Sequence, residues 1–361
     1  MMTNTRLFLD IHAIQSVPPS NINRDDTGSP KTAEYGGARR ARVSSQSWKR
    51  EMRKYFNNHS EQANLGKRTV EIVQFVADKI REISPSIDFE RSMEMAEEVV
   101  SNAGIKTKNQ KAKALFFIGN EQGRKLAEAA INNIKDKKIL TGILKDNPAI
   151  DIALFGRMLA DDPSLNEDAS SQVAHALSTH AVQTEFDFYT AVDDLQPDGK
   201  TGAGMLGTIE FNSSTLYRYA NVSVHELLRQ LEDKELVINT LTLFVEAFTN
   251  SMPGGHINSF ANQTLPQAVL VILRNDRPVN LVGAFEKPIR SKDGYVKKSI
   301  ESMLSENKKV EKFVNKPVNA FYVRIEDNGF DETGLSVVDS IAEMKEMLEL
   351  ELKNIIPEIG D

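Results

Sequence analysis

Apolar residues alternate with polar ones at the start of the chain, where Leu7, Leu9, Ile11 and Ala13 are interleaved with Phe8, Asp10 and His12. A period of two predicts a half-buried first strand. Val17-Pro-Pro-Ser opens a polar stretch through Pro30, with Asn21, Asn23, Asp25, Asp26 and Gly28 as turn formers, and predicts a long loop. Gly36-Gly37 then bends the chain into a short strand over 39–43, with Arg40, Arg42 and Ser44 on one face. A helix is predicted over 46–56, capped by Ser44 or Ser45. Trp48, Met52, Tyr55 and Phe56 fall at i, i+4, i+7 and i+8 as its buried stripe. Lys49, Arg50, Arg53 and Lys54 project from the opposite side as one cationic face.

From about 67 to 180 the periodicity is helical throughout. Val70, Val73, Val76 and Ile80 form one stripe, and Leu115, Phe116, Leu126, Ala130 and Ile134 mark further amphipathic helices, punctuated by Gly119, Gly123, Gly142 and Pro148. No strand is expected there, so the stretch reads as a helical subdomain inserted in the fold. After His180, Phe186, Phe188 and Thr190 alternate with Asp187 and Tyr189, Gln196-Pro-Asp-Gly-Lys-Thr-Gly-Ala-Gly makes a glycine-rich turn, and 206–211 and 216–219 look extended again. This predicts a β-hairpin with a flexible tip. The remainder predicts a helix over 236–248, a buried strand over 268–273, an extended apolar segment over 279–285 and a strand over 321–325. A last helix carries Ile341, Met344, Leu348, Leu352 and Ile355. The lysine-rich stretch 292–316 reads as a mobile surface connection. Mixed strands and helices give the class α+β.

A chain of 361 residues can bury one large core or two. It has no cysteine, so disulfides and thiolate metal sites are excluded, as fits a reducing compartment. No apolar run is long enough to span a bilayer and the N-terminus has no signal-like hydrophobic region, so a cytoplasmic protein without a membrane partner is expected. Charge changes the picture more. The net charge is −7, yet seven cations and one acid, Glu51, lie between Arg39 and Lys54. Such a block in an acidic chain points to a bound polyanion and disfavours non-specific binding over the whole surface. The Ser-Ser helix start adds backbone N–H groups for a phosphate. A merely solvated helix face is the plain alternative.

Other chemistry is sparse. The chain has no Gly-x-Ser-x-Gly elbow, no Walker A sequence and no Gly-x-Gly-x-x-Gly after a strand. His175 and His180 are five apart on a predicted helix, hence on different faces, and read as structural. The pairs Asp25-Asp26, Asp161-Asp162 and Asp193-Asp194 could bind a divalent cation for phosphodiester hydrolysis, or simply form turns and caps. Aromatics and hydroxyls over 186–190 could stack or wedge bases, or pack the hairpin. No catalytic residue, metal site or cofactor is assigned.

Several blocks in order resemble one family: Asn23-Arg-Asp-Asp, Gly36-Gly through Ser44-Ser-Gln-Ser-Trp-Lys-Arg, Asp151-Ile-Ala-Leu-Phe-Gly-Arg-Met, Thr190-Ala-Val-Asp-Asp-Leu, Leu216-Tyr-Arg-Tyr-Ala-Asn and Gly283-Ala-Phe-Glu-Lys. Together they resemble the backbone subunit of type I-E CRISPR Cascade, the CasC family, from the first strand to about residue 290; the last seventy residues and much of the helical insert match loosely. The resemblance implies a modified RNA-recognition-motif (ferredoxin-like) palm from 1–58 and 219–361, helical fingers over 59–180 and a β-hairpin thumb over 181–218. It implies binding to CRISPR RNA, head-to-tail stacking of copies along that RNA, and bases displaced at regular intervals while the rest pair with target DNA. Further implied partners are a large subunit, small subunits, a 5'-handle-binding subunit and a CRISPR RNA endoribonuclease.

By position in that resemblance, Arg24, Ser44, Gln46, Lys49, Arg50 and Arg53 match RNA-backbone contacts; Arg40 and Arg42 of the strand are taken with them. Met158, Phe188, Tyr189, Thr190 and Leu206 match base-wedging positions, and Lys31 matches a target-DNA contact. Two departures are Ala38, where a basic residue is expected before Arg39, and Phe188, where a Trp is familiar. The implied function is a non-catalytic RNA-binding scaffold. The alternatives are a metal-dependent ribonuclease using Asp25 and Asp26, and a structural protein that assembles through its helical part without nucleic acid.

Overall fold

The computed structural model describes residues 6–60, 64–159, 162–191, 203–327 and 329–357. The chain forms two compact units, one from 1–55, 173–221 and 244–350, the other from 56–172, 222–243 and 351–361. Strands and helices are mixed throughout, an α+β architecture.

A large sheet organises the first unit. At its centre β1 (Phe8–Ser20) lies between strands Ala268–Arg274 and Ala203–Ser223. Asn319–Arg324 and the two-residue strand Ser336–Val337 extend the sheet past the former. Past the latter come Ala176–Ser178 and then the hairpin of β2 (Thr32–Tyr35) and β3 (Ala38–Val43), with β3 innermost. β1 pairs antiparallel with Ala268–Arg274 from Phe8↔Arg274 to Ile14↔Ala268. One core packs Ile14, Tyr217, Leu270 and Ile272 against Leu281, Phe285, Ile300 and Met303; another gathers Val17, Ala41, Val43, Trp48 and Leu216.

The alternation in β1 does not make it half-buried. Asp10 and His12 are as inaccessible as Leu9 and Ile11, because a central strand covered on both faces has no solvent side. Their polarity is answered internally, except at His12 Nε2, which is buried without a hydrogen-bond partner. Asp10 is ion-paired with Arg274 (3.2 Å) and accepts from Tyr219 OH (2.8 Å) and Val279 N (2.9 Å), while His12 Nδ1 lies 2.9 Å from Tyr217 OH. Burial pushes the Asp10 carboxyl up to about 6; burial, with the Arg274 charge, holds His12 down to about 3. β1 also continues through Val17-Pro-Pro-Ser, where a loop was expected. Both prolines lie past the final Ile14–Ala268 pair, where that ladder no longer needs their N–H.

The second unit is mainly helical. Helices Ile72–Ile83, Phe89–Asn102 and Asn120–Ile131 pack a core containing Val73, Val76, Ile80, Ala96, Val100 and Leu126. The expected absence of strands is corrected: Gly66–Thr69 pairs with Phe116–Gly119, and Thr107–Lys108 with Lys111–Ala112. Phe116 therefore sits in a strand, and segments of two to four residues are too short to display a period. Ala176–Ser178, also expected to be helical, belongs to the large sheet of the first unit. Two further expectations change there. The apolar 279–285 segment is not extended but closes as a 3-10 turn at Leu281–Phe285, capped by Asn280, whose Oδ1 accepts from Val282 N at 3.0 Å. The lysine-rich stretch contains the helix Val296–Val310, anchored by buried Ile300, Met303 and Leu304.

Candidate nucleic-acid interface

α1 (Ser45–His59) follows β3 directly, and its orientation is set by what it buries. Trp48, Met52 and Phe56 are inaccessible, which turns Arg50, Lys54 and Gln46 outward and leaves Lys49 and Arg53 half-buried. Beneath Trp48, the Arg218 guanidinium lies 3.7 Å from the ring centroid and donates to Gln15 Oε1 at 2.6 Å. Burial depresses the Arg218 pKa to about 9. Its charge is a packing element for α1. Lys54 pairs with Glu51 at 3.0 Å.

The loop before β2 is fastened to the start of α1. Asn23 Oδ1 accepts from Ser44 N (2.8 Å), Asn23 O accepts from Lys31 N (2.9 Å), and Lys31 O accepts from Arg42 N (2.9 Å). These bonds bring Arg24, Lys31, Arg42 and Ser44 together at the end of β3 where α1 begins. Lys31, matched to a target-DNA contact, is tied by its backbone to Asn23 and Arg42 in this cluster. Arg24 Nη1 lies 3.0 Å from His256 Nε2, and Arg42 Nη1 lies 3.2 Å from His175 Nδ1. Burial and the neighbouring arginine lower the pKa of both histidines, which keeps them neutral. A neutral imidazole orients an arginine without cancelling its charge, as a carboxylate would. The sequence pattern pairs neither histidine with its arginine: His175 lies between two short strands rather than on a helix, and His256 follows the Pro253-Gly-Gly turn, far along the chain from Arg24. That turn approaches the loop so closely that a Cβ on Gly255 would stand 2.5 Å from Ile22 O.

Arg40 is a correction. Its side chain is inaccessible and donates to Ser178 O (2.9 Å), Phe285 O (2.8 Å), Glu286 O (3.3 Å) and Tyr35 O (3.2 Å). Arg40 and Arg42 share a strand face, but the 285–286 segment covers Arg40, whose guanidinium is taken up by these carbonyls. His180, the other histidine read as helical, follows the strand Ala176–Ser178 and stacks on Tyr295 at 3.7 Å.

The hairpin is formed by Glu185–Ala191 and Ala203–Ser223, with Phe186↔Glu210, Phe188↔Thr208 and Thr190↔Leu206 paired. Directly paired residues share a face, so Phe186, Phe188, Thr190 and Leu206 lie on one side. Tyr189 is on the other, lying over Gly207, where a Cβ would come within 2.3 Å of its ring. Phe186 and Phe188 are 66% and Leu206 70% exposed, an apolar strip with no core to join. Met158, in the second unit, is 84% exposed. Most of the glycine-rich turn (196–202), Asp193-Asp194 and Asp161 lie outside the described residues.

Asp25 is occupied with its own loop, accepting from Thr27 N (3.0 Å), Thr27 Oγ1 (2.7 Å) and Ser29 N (3.0 Å), and these bonds lower its pKa. Asp162 similarly accepts from Ser164 N at 3.1 Å. Among the described residues no three His, Asp or Glu side chains are placed to hold a metal ion, and no helix is long and apolar enough to cross a membrane. What the β3–α1 junction offers chemically is fixed positive charge beside a helix N-terminus, a geometry suited to phosphate oxygens.

Two solved chains share this fold. One belongs to a CRISPR RNA-guided surveillance complex in a pre-nicking form: 31% identical, TM-score 0.83, covering 96% of this chain and 100% of that one. The other, from a CRISPR RNA-guided surveillance complex, is 28% identical with TM-score 0.73, covering 94% of this chain and 99% of that one. No curated protein matches the sequence significantly. The sequence model of CT1975-like proteins matches residues 9–349, nearly the whole length, and the chain belongs to that family.

Proposed function

We propose that this protein is the RNA-binding backbone subunit of a type I-E, Cascade-like CRISPR surveillance complex. In this reading the guide RNA backbone runs over the β3–α1 junction, held by Arg24, Arg42, Lys49, Arg50 and Arg53 with Ser44 and Gln46 beside them. Residues 1–58 and 219–361 act as a palm of RNA-recognition-motif type, 59–180 as fingers and 181–218 as a thumb. Copies stack head to tail along the RNA in the cytoplasm, together with the other Cascade subunits. The exposed Phe188 and Leu206 on one hairpin face, with Met158, wedge bases out at fixed intervals, and the bases between them pair with target DNA. The protein contributes binding, not catalysis.

The observation that carries the reading is the cluster at the β3–α1 junction, where arginines are oriented by neutral histidines. The full-length likeness to surveillance-complex chains supports it. Replacing Lys49 and Arg53 with Glu is expected to remove co-purifying RNA, read as a fall in the 260/280 nm absorbance ratio, with the urea midpoint unchanged. A folded double variant that keeps its RNA refutes the assignment.

A further inference from the structure

Among the described residues the buried arginines are Arg40, Arg157, Arg218 and Arg274. Three of them have an acid nearby. Arg274 is ion-paired with Asp10; burial lowers the pKa of Arg40 and Arg157, but Tyr35 and Glu286 counter it at Arg40 and Glu167 counters it at Arg157. Arg218 differs. Burial acts on it unopposed, its Nε has no hydrogen-bond partner, and among the described residues no carboxylate lies within ion-pair distance.

Everything that holds this guanidinium is neutral. It lies 3.7 Å from the ring centroid of Trp48 and 4.4 Å from that of Phe248, and donates to Gln15 Oε1 and to the Phe248 carbonyl. Phe248 is in the last turn of the helix Lys234–Asn250, whose carbonyl end favours a cation. Trp48 is in the first turn of α1, the end that disfavours one. Arg24 and Arg42 gather at that same end. A full positive charge is thus kept out of water beneath a helix N-terminus and a cluster of its own sign. Packing does not require it, since an uncharged side chain of similar volume fills such a place without the desolvation cost.

We propose that Arg218 is a buried electrostatic determinant of nucleic-acid affinity: acting through α1, its charge strengthens the hold of the β3–α1 junction on a phosphate backbone that Arg218 itself does not touch. The proposal rests on the guide-RNA reading. A helix with its side chains is about 10–12 Å across, which puts a phosphate on the outer face of that first turn roughly 12 Å from the guanidinium. At an effective dielectric constant of about 20, one such pair of charges changes affinity about tenfold. Protein lies between them, so salt screens this attraction less than it screens a surface contact.

The test measures binding of a labelled single-stranded RNA to the full chain stripped of co-purified RNA by high salt. Arg218→Met removes the charge at similar volume; Arg218→Lys keeps the charge but loses the planar stack and the forked hydrogen bonds. A purely structural role weakens both alike. The charge role predicts that the methionine variant binds about tenfold more weakly while the lysine variant stays near wild type. The log-salt slope of the methionine variant should change by less than about 0.7, since no phosphate contact is lost. A second pair leaves Arg218 in place, in case the first does not fold. Gln15→Glu sets a carboxylate against the guanidinium, whereas Gln15→Met loses the same hydrogen bonds without adding charge. The glutamate variant should bind about tenfold more weakly than its methionine counterpart. Emission from Trp48, the single tryptophan of the chain, should be alike in these two. A wild type that binds no RNA overturns the guide-RNA reading and this proposal with it. Wild-type affinity in Arg218→Met, equal losses in Arg218→Met and Arg218→Lys, or equal binding by the two Gln15 variants overturns this proposal alone.

Discussion

Five cations of the helical unit and the arginines around β3 are held differently. In the helical unit, Lys79, Arg91, Arg124, Lys125 and Lys135 each sit within 3.1 Å of a carboxylate, several of them three or four residues away on the same helix. Around β3, Arg24 and Arg42 are steadied by histidines, and Arg39 and Arg50 have no ion-pair partner within 4 Å among the described residues. The five paired cations are neutralised at short range; the arginines of the β3 cluster keep their charge. A count of lysines and arginines does not locate a polyanion site. What marks the β3 site is that its arginines are held by histidines beside a helix N-terminus.

The sharpest break within the basic block is between Arg40 and Arg50. Arg40→Ala strips donors from the carbonyls of Ser178, Phe285 and Glu286, and is expected to lower unfolding free energy by about 3 kcal/mol in urea denaturation, at roughly 1 kcal/mol or more per stranded acceptor. Arg50→Ala should stay within about 0.5 kcal/mol of wild type and weaken RNA binding instead. The helical unit has its own counterpart of Arg40: Arg157, which donates to Leu165 O (2.8 Å), Phe117 O (3.1 Å) and Leu144 O (2.7 Å).

Next in size is a pH effect in the first unit. His12, depressed to about 3 in the fold, takes up a proton on unfolding, so its stabilising contribution is complete above 6.5 and is lost as pH falls towards 3. Asp10, raised to about 6, contributes stability that is complete below about 4 and is lost as pH rises through 6. The two slopes oppose each other between pH 4 and 6. Removing the His12 contribution in His12→Gln should make the stability slope over this window more negative than in wild type, by at most about 1.4 kcal/mol per unit. A slope equal to that of wild type would contradict the assignment. Smallest of all, Arg124→Ala, which breaks exposed pairs with Glu121 and Glu128, should leave the urea midpoint unchanged.

The apolar stripe of α1, the buried strand Ala268–Arg274 and the hairpin were legible because each runs long enough to show its period. Asp10 and His12 were misread because alternation reports polarity, not whether a second layer covers the polar face. Arg40 was misread for a related reason: the 285–286 segment that covers it lies more than two hundred residues away in sequence. The same distance hid His256 from Arg24. The helix Val296–Val310 was concealed by lysines on its exposed side, although Ile300, Met303 and Leu304 have helical spacing. Sequence period reveals elements; long-range covering decides which charges remain outside.

The central claim is that RNA is held by the cations around β3 and α1 and not by those of the helical unit. Measuring the salt dependence of RNA binding tests it most directly, with Arg24→Ala/Arg50→Ala compared against Arg91→Ala/Arg124→Ala. The first pair should flatten the log-salt slope by about 1.4, at roughly 0.7 per phosphate contact, and the second should leave it unchanged. Equal slopes in both variants, or a change confined to the second, would contradict the account.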